Sequence, residues 1–210
     1  MIDDFIETII PTFSDDEEEF SRQGAKLSML HVNTKCPCVD TIVVSGKPSS
    51  VAFAHLMNPG TVQPIFSGDS TVGSLFQSHG ICFVSLNQDF FFDLRAVCDG
   101  FKRIVVLDSR QGPADDICAL STDPIKSQLK PVSSGINGMA AYITTNSVIM
   151  GDSCSVILNE HRSIRVSLES ICSLSFALCQ VLNLQNPDVG VLSKEFKKAV
   201  PINSRVPLYT

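Results

Sequence analysis

Cys36-Pro37-Cys38 places two thiols one residue apart. Paired thiols do two kinds of chemistry: they bind soft metal ions, and they exchange electrons by making and breaking a disulfide. A zinc site needs two more ligands at defined spacing, and none follows closely along the chain. One intervening residue also differs from the C-x-x-C of thiol oxidoreductases. The pair therefore reads as a proline turn feeding a strand. A second fragment, Ser45-Gly46-Lys47-Pro48-Ser49, sits between a strand-like and a helix-like run, as a phosphate loop would. The glycine that a Walker loop needs earlier is replaced by Thr41, and Pro48 stands where a hydroxyl should reach magnesium. An ordinary strand-to-helix turn is expected there.

The remaining catalytic candidates are scattered. His31, His55, His79 and His161 stand far apart; His55 lies in an apolar run suited to packing, and His161 follows Glu160 where a general base could sit. No G-x-S-x-G elbow offers a hydrolase nucleophile, and no G-x-G-x-x-G fingerprint offers a dinucleotide site. The expectation is a protein that is not an enzyme and that uses no cofactor or metal. The competing reading is an α/β enzyme with a small-molecule site at the carboxyl ends of strands, near Ser45, Leu86 or Ser109.

The elements that must position these residues follow from apolar runs. Thr41–Val44, Ile81–Val84, Arg103–Leu107 and Cys154–Leu158 have the length and β-branched content of buried strands. Thr61–Phe66 suits a short strand, and residues 23–35 an imperfectly alternating lead-in strand. Helices are expected from Ser49 or Ser50 to Met57, from Asp89 to Phe101, from Asn137 to Ile149, from about Arg165 to Asn183, and from Ser193 to Val200. The polar stretch Ser109–Ser134 is expected to be a connection holding a short helix, Ile125–Lys130. Alternating strands and helices predict an α/β fold: a mixed, partly parallel central sheet flanked by helices, with a projecting C-terminal tail.

The 210 residues suit one domain, with 44% hydrophobic and 18% charged residues. The organisation expected is an acidic, flexible segment over 1–22, one domain over 23–200 and an extended tail over 201–210. A net charge of −6 argues against nucleic acid as a partner. The charge is uneven: residues 1–20 carry −8, including the run Asp15–Glu19, and residues 193–210 carry +3. An adaptor whose acidic segment binds a basic partner is a further alternative, recognisable by salt-sensitive binding that needs residues 15–19. The start of the chain lacks the basic and apolar parts of a secretory signal, and its most apolar run, Ile171–Leu184, is too short to span a bilayer. A cytoplasmic chain with no membrane partner and with reduced thiols is expected.

The chain ends Val206-Pro207-Leu208-Tyr209-Thr210. Pro201 and Pro207 remove backbone donors and favour an extended arm. Its tip sets an aliphatic side chain, a tyrosine and a carboxylate side by side, and capture of a C-terminal carboxylate is an established recognition mode. Burial of Leu208 is worth about 1.5–3 kcal/mol, and a charge-assisted bond from the carboxylate to a lysine about as much again. Such a contact is weak alone and becomes useful when a folded body raises its effective concentration; on tail chemistry alone, a frayed terminus is the competing reading and stands ahead.

Three segments carry a likeness to a known family. They are Cys36–Gly46 running on to Val51-Ala52-Phe53 and Met57-Asn58-Pro59-Gly60; Met139-Ala140-Ala141 leading to the strand Cys154–Leu158; and the terminal helix with Leu208-Tyr209-Thr210. Together these resemble the proteasome assembly chaperone 1 family. The resemblance implies an α/β domain that pairs with proteasome assembly chaperone 2 and sits on the outer face of the proteasome α-subunit ring, in the cytoplasm and extending to the nucleus. It implies that Tyr209 packs and hydrogen-bonds in a groove between α subunits, Leu208 fills its apolar wall, and Thr210 supplies the carboxylate received by a lysine. Occupying that face would prevent wrong pairing of α rings and early docking of activators.

Overall fold

The β-branched run at Thr41 becomes the centre of a mixed sheet. The structure, a computed structural model, describes residues 30–46, 48–87, 92–112, 115–122, 129–132, 135–162 and 166–199. Among them nine strands form one sheet: β1 (Leu30–Val32), β2 (Thr41–Gly46), β3 (Gln63–Ser67), β4 (Ser70–Ser78), β5 (Ile81–Leu86), β6 (Arg103–Gln111), β7 (Asp116–Ser121), β8 (Lys130–Pro131) and β9 (Ser153–His161). Their spatial order is β1-β3-β4-β5-β2-β6-β9-β7-β8. The middle four, β5-β2-β6-β9, run parallel; β4, β3 and β1 extend one side in antiparallel pairs, and on the other side β7 is antiparallel to β9 and β8 parallel to β7. Parallel strands covered on both faces read as continuous apolar runs, which is why these four are evident in the sequence.

Each face of the sheet has its own core. On one, Ile42, Val44, Cys82, Val84, Ile104, Val106, Cys154 and Val156 lie under helix α1 (Gly138–Met150) and under the segment carrying Phe92, Leu94 and Val97. On the other, Val43, Phe83, Val105, Leu107 and Ile157 lie under a 3₁₀ helix, Ser49–Leu56, and helix α2 (Leu168–Leu182). Helix α3 (Val189–Ala199) packs outside these, against the 3₁₀ helix and α2. Phe53, Phe76 and Phe83 cluster with ring centroids 4.9–6.0 Å apart, each pair worth about 0.5–1.5 kcal/mol beyond area burial. α2 starts where Ser167 Oγ accepts the Ser170 N–H at 3.1 Å, and it ends at Asn183 in the left-handed conformation. The 3₁₀ helix begins at Pro48, whose carbonyl accepts the Val51 N–H at 3.1 Å.

Several expectations change in detail. The helix expected over Asp89–Phe101 is a single 3₁₀ turn, Leu94–Ala96, among its described residues. The backbone there pairs with the chain before β2: Cys36 N–H donates to Val97 O, Asp99 N–H to Cys36 O and Val39 N–H to Gly100 O, each at 2.9 Å. Groups committed to that ladder cannot serve an α-helix. The polar stretch after Ser109 holds the last residues of β6 and the whole of β7 and β8. Lys130 is therefore strand and Leu129 lies in no helix, while residues 125–128 of the helix expected there lie outside the described residues. β4, unassigned from sequence, joins β5 through His79-Gly80. Both residues have positive φ (52° and 72°), as a two-residue hairpin with the right twist requires.

Candidate functional site

The predicted contact residues Leu208, Tyr209 and Thr210 lie outside the described residues. The structure does define the element that precedes them. Asp188 Oδ1 accepts the Gly190 and Val191 N–H groups at 2.8 and 3.2 Å and so starts α3. Leu192 is fully buried, and Phe196 and Ala199 pack partly against the second core. Lys194, Lys197 and Lys198 point outward, with Lys198 paired to Glu195 at 2.6 Å. α3 therefore fixes residue 199 to the body and carries a basic outer face. Beside it lies a cavity of about 240 Å³ lined by Phe53, Met57, Phe76, Glu195, Lys198 and Ala199 among others.

At the carboxyl ends of the parallel strands, where a small-molecule site was the competing expectation, the polar side chains engage one another. Ser45 Oγ donates to Leu107 O at 3.0 Å, Ser49 Oγ to Ser109 Oγ at 2.8 Å, and Asn159 Nδ2 to Ser109 Oγ at 3.3 Å. Arg110 forms an ion pair with the buried carboxylate of Glu160 and also donates to Gly135 O. These contacts knit β2, β6 and β9 together.

The histidines stay apart. His31 stacks on Phe66 across β1 and β3, and His79 occupies the β4–β5 turn, where its Nδ1 meets Ser78 Oγ at 2.8 Å. His161 is buried at the end of β9. His55 packs on α2, near Ser175 Oγ (3.5 Å) and Cys179 Sγ (3.6 Å), and burial lowers its pKa from the ordinary value. Cys179 is itself buried, which pushes its thiol up, the reverse of an activated nucleophile.

The amino ends of the parallel strands hold something the sequence concealed. Cys36, Cys82 and Cys98 come together, their three Sγ atoms all within 4.8 Å of one another. Cys82 arrives because β5 pairs with β2, setting Cys82 beside Ile42. Cys98 arrives because its loop pairs with the chain at Cys36. All three are buried, whereas Cys38 is exposed. Hydrogen bonding from Cys82, helped by Cys98, holds the Cys36 thiol below its ordinary range against the opposing effect of burial. Cys82 is pushed up by the same bond and by burial. Cys98 donates to Gly100 O at 3.3 Å and Pro37 O at 3.5 Å. Residue spacing along the chain could not reveal this group, because strand pairing and loop pairing bring distant positions together.

No family model and no curated protein matches this chain. Solved structures do. PbaA of Pyrococcus furiosus, described as an archaeal homolog of proteasome-assembly chaperone, superposes with a TM-score of 0.61 at 13% identity, over 80% of this chain and 87% of that one. PbaB of the same organism, an archaeal proteasome activator, gives 0.58 at 12% identity, over 80% and 94%. A PAC2 family protein from Streptomyces avermitilis gives 0.52 at 14% identity, over 76% and 92%. The chain shares the fold of these proteins. Among the described residues no helix is long and apolar enough to cross a membrane.

Proposed function

We propose that this chain is a non-enzymatic chaperone of 20S proteasome assembly, acting in the cytoplasm and extending to the nucleus. The observation that carries the reading is the shared fold with an archaeal homolog of proteasome-assembly chaperone and with an archaeal proteasome activator. The sequence adds a terminus suited to a pocket, Leu208-Tyr209-Thr210. The protein pairs with proteasome assembly chaperone 2 and rests on the outer face of the α ring. Leu208 enters an apolar wall, Tyr209 stacks and hydrogen-bonds, and the Thr210 carboxylate meets a lysine. The docked body raises the effective concentration of this weak tail contact. Holding that face keeps α rings from pairing wrongly and keeps activators off until assembly is complete. α3 supports the reading by anchoring the root of the tail and presenting Lys194, Lys197 and Lys198 beside it.

The test is co-expression of tagged full-length protein, and of a form lacking residues 208–210, with proteasome α subunits. Full-length protein should recover α subunits together with a partner of similar mass, and truncation should cut α-subunit recovery severely. Equal recovery by both forms removes the tail from the mechanism, and no α subunits with either form refutes the assignment.

A further inference from the structure

We propose that Cys36, Cys82 and Cys98 form a binding site for a divalent thiophilic d¹⁰ cation of the zinc type, built where three separate parts of the chain meet at the amino ends of β2 and β5. Three sulfurs from non-contiguous segments lie within 4.8 Å of one another. A tetrahedral ion with metal–sulfur bonds of about 2.3 Å sets its sulfurs about 3.8 Å apart, so an inward shift of about 1 Å at most completes the triangle. Soft thiolates select such ions over magnesium or calcium.

Charge favours a divalent ion. Binding releases three thiol protons, and three thiolates around a 2+ cation leave one negative charge, where a monovalent ion would leave two. The basic groups nearest in the chain, Lys35 and Arg95, are tied to the same loops: Lys35 Nζ donates to Arg95 O at 2.7 Å, and Arg95 lies over the Phe101 ring. Cys38 Sγ would lie 3.0 Å from a Cβ on Gly100, the residue whose carbonyl accepts the Cys98 thiol. A water would complete the tetrahedron, or Cys38 after a shift of its loop, since its Sγ stands outside the group of three. Bound there, the ion would cross-link the chain before β2, the start of β5 and the loop before β6. The ladder of 2.9 Å backbone bonds already holds two of these parts together.

The test uses the full chain, purified under reducing conditions, stripped with chelator and titrated with Cd²⁺. We expect thiolate-to-metal charge-transfer absorption that saturates at one equivalent, and displacement of Cd²⁺ by Zn²⁺. Cys98→Ser should weaken Cd²⁺ binding by more than about a hundredfold, beyond the loss typical of an outer-shell partner, while Cys118→Ser leaves it unchanged. Should Cys98→Ser fail to fold, the wild-type chain carries the test: mass-mapped alkylation with and without Cd²⁺ should show protection of Cys36, Cys82 and Cys98. Absence of saturable absorption, protection confined to other cysteines, or a Cys36–Cys98 disulfide that forms in preference to metal binding overturns the proposal.

Discussion

Replacing Leu192 by alanine should loosen the root of the tail without removing the tail. Leu192 has no accessible surface and lies on the inner side of α3. Leu→Ala at a buried site costs about 2–5 kcal/mol. α3 is a terminal helix whose other core contacts, Phe196 and Ala199, are only partly buried, so the loss should fall on local undocking rather than on the whole domain. At tenfold per 1.4 kcal/mol, the opening equilibrium rises roughly 30-fold to several thousandfold. If residues 200–210 act as the proposed tether, undocking α3 adds its 11 residues and doubles the tether's length. If effective concentration falls as the −3/2 power of tether length, capture of α subunits drops by up to about threefold, reaching that limit when α3 is mostly undocked. Hydrogen exchange measures the first quantity and quantitative co-purification the second. Faster exchange confined to α3 with a partial loss of recovery fits the reasoning. If α3 amides exchange only with the rest of the domain, α3 is not a separable anchor; if α3 opens and recovery is unchanged, anchoring does not matter to the tail.

Three other perturbations probe the body. Arg110→Met leaves the buried Glu160 carboxylate without its guanidinium and should cost about 3–5 kcal/mol in urea unfolding, with much of that regained when Glu160→Leu is added. In Gly73→Ala the new Cβ would stand 2.3 Å from the Ser85 carbonyl oxygen of the neighbouring strand, so a backbone shift costing about 1–3 kcal/mol is expected as a lower melting temperature. His55 has its pKa lowered by burial from 6.5, opposed in part by its bond to Ala52 and by Asp188. Between the lowered value and 6.5 the unfolded chain therefore binds more protons than the native one. Stability is full above pH 6.5 and is lost as pH falls toward the lowered value. His55→Gln should flatten that part of a pH-stability curve.

What the sequence disclosed follows from where each strand sits. β2, β5, β6 and β9 are covered on both faces, so their side chains need no alternation and announce themselves as unbroken apolar runs. β4 and β7 lie nearer the flanks, mix serines with apolar residues, and have partly exposed positions. Their signal is thinner, and the turn before β5 uses His79-Gly80 in place of the Asn-Gly or Asp-Gly that marks such a turn in sequence. The segment around Leu94 misled for another reason. Phe92, Leu94, Val97 and Cys98 have spacings a helix would tolerate, and all four are buried. Yet the backbone of 97–100 is claimed by the chain at Cys36, and that competition is between distant parts of the sequence.

The same non-locality separates the two candidate interaction features. Leu208-Tyr209-Thr210 is contiguous, so its chemistry is legible from residue order, and what it meets is supplied by another molecule. The thiol cluster is assembled by strand pairing: the register that sets Cys82 against Ile42 also decides that its sulfur faces Cys36 rather than the opposite core. A shift of one residue in that register would send Cys82 to the other face and bring Phe83 in its place. The thiols that meet Cys36 come from far along the chain, because neighbouring parallel strands of a sheet are joined by long crossovers. The helix that precedes the terminus, α3, packs over the core of Phe83, whereas the thiols lie in the core of Cys82 on the other face of the sheet. A change that loosens α3 should therefore leave the thiol cluster intact, since the two belong to separate cores.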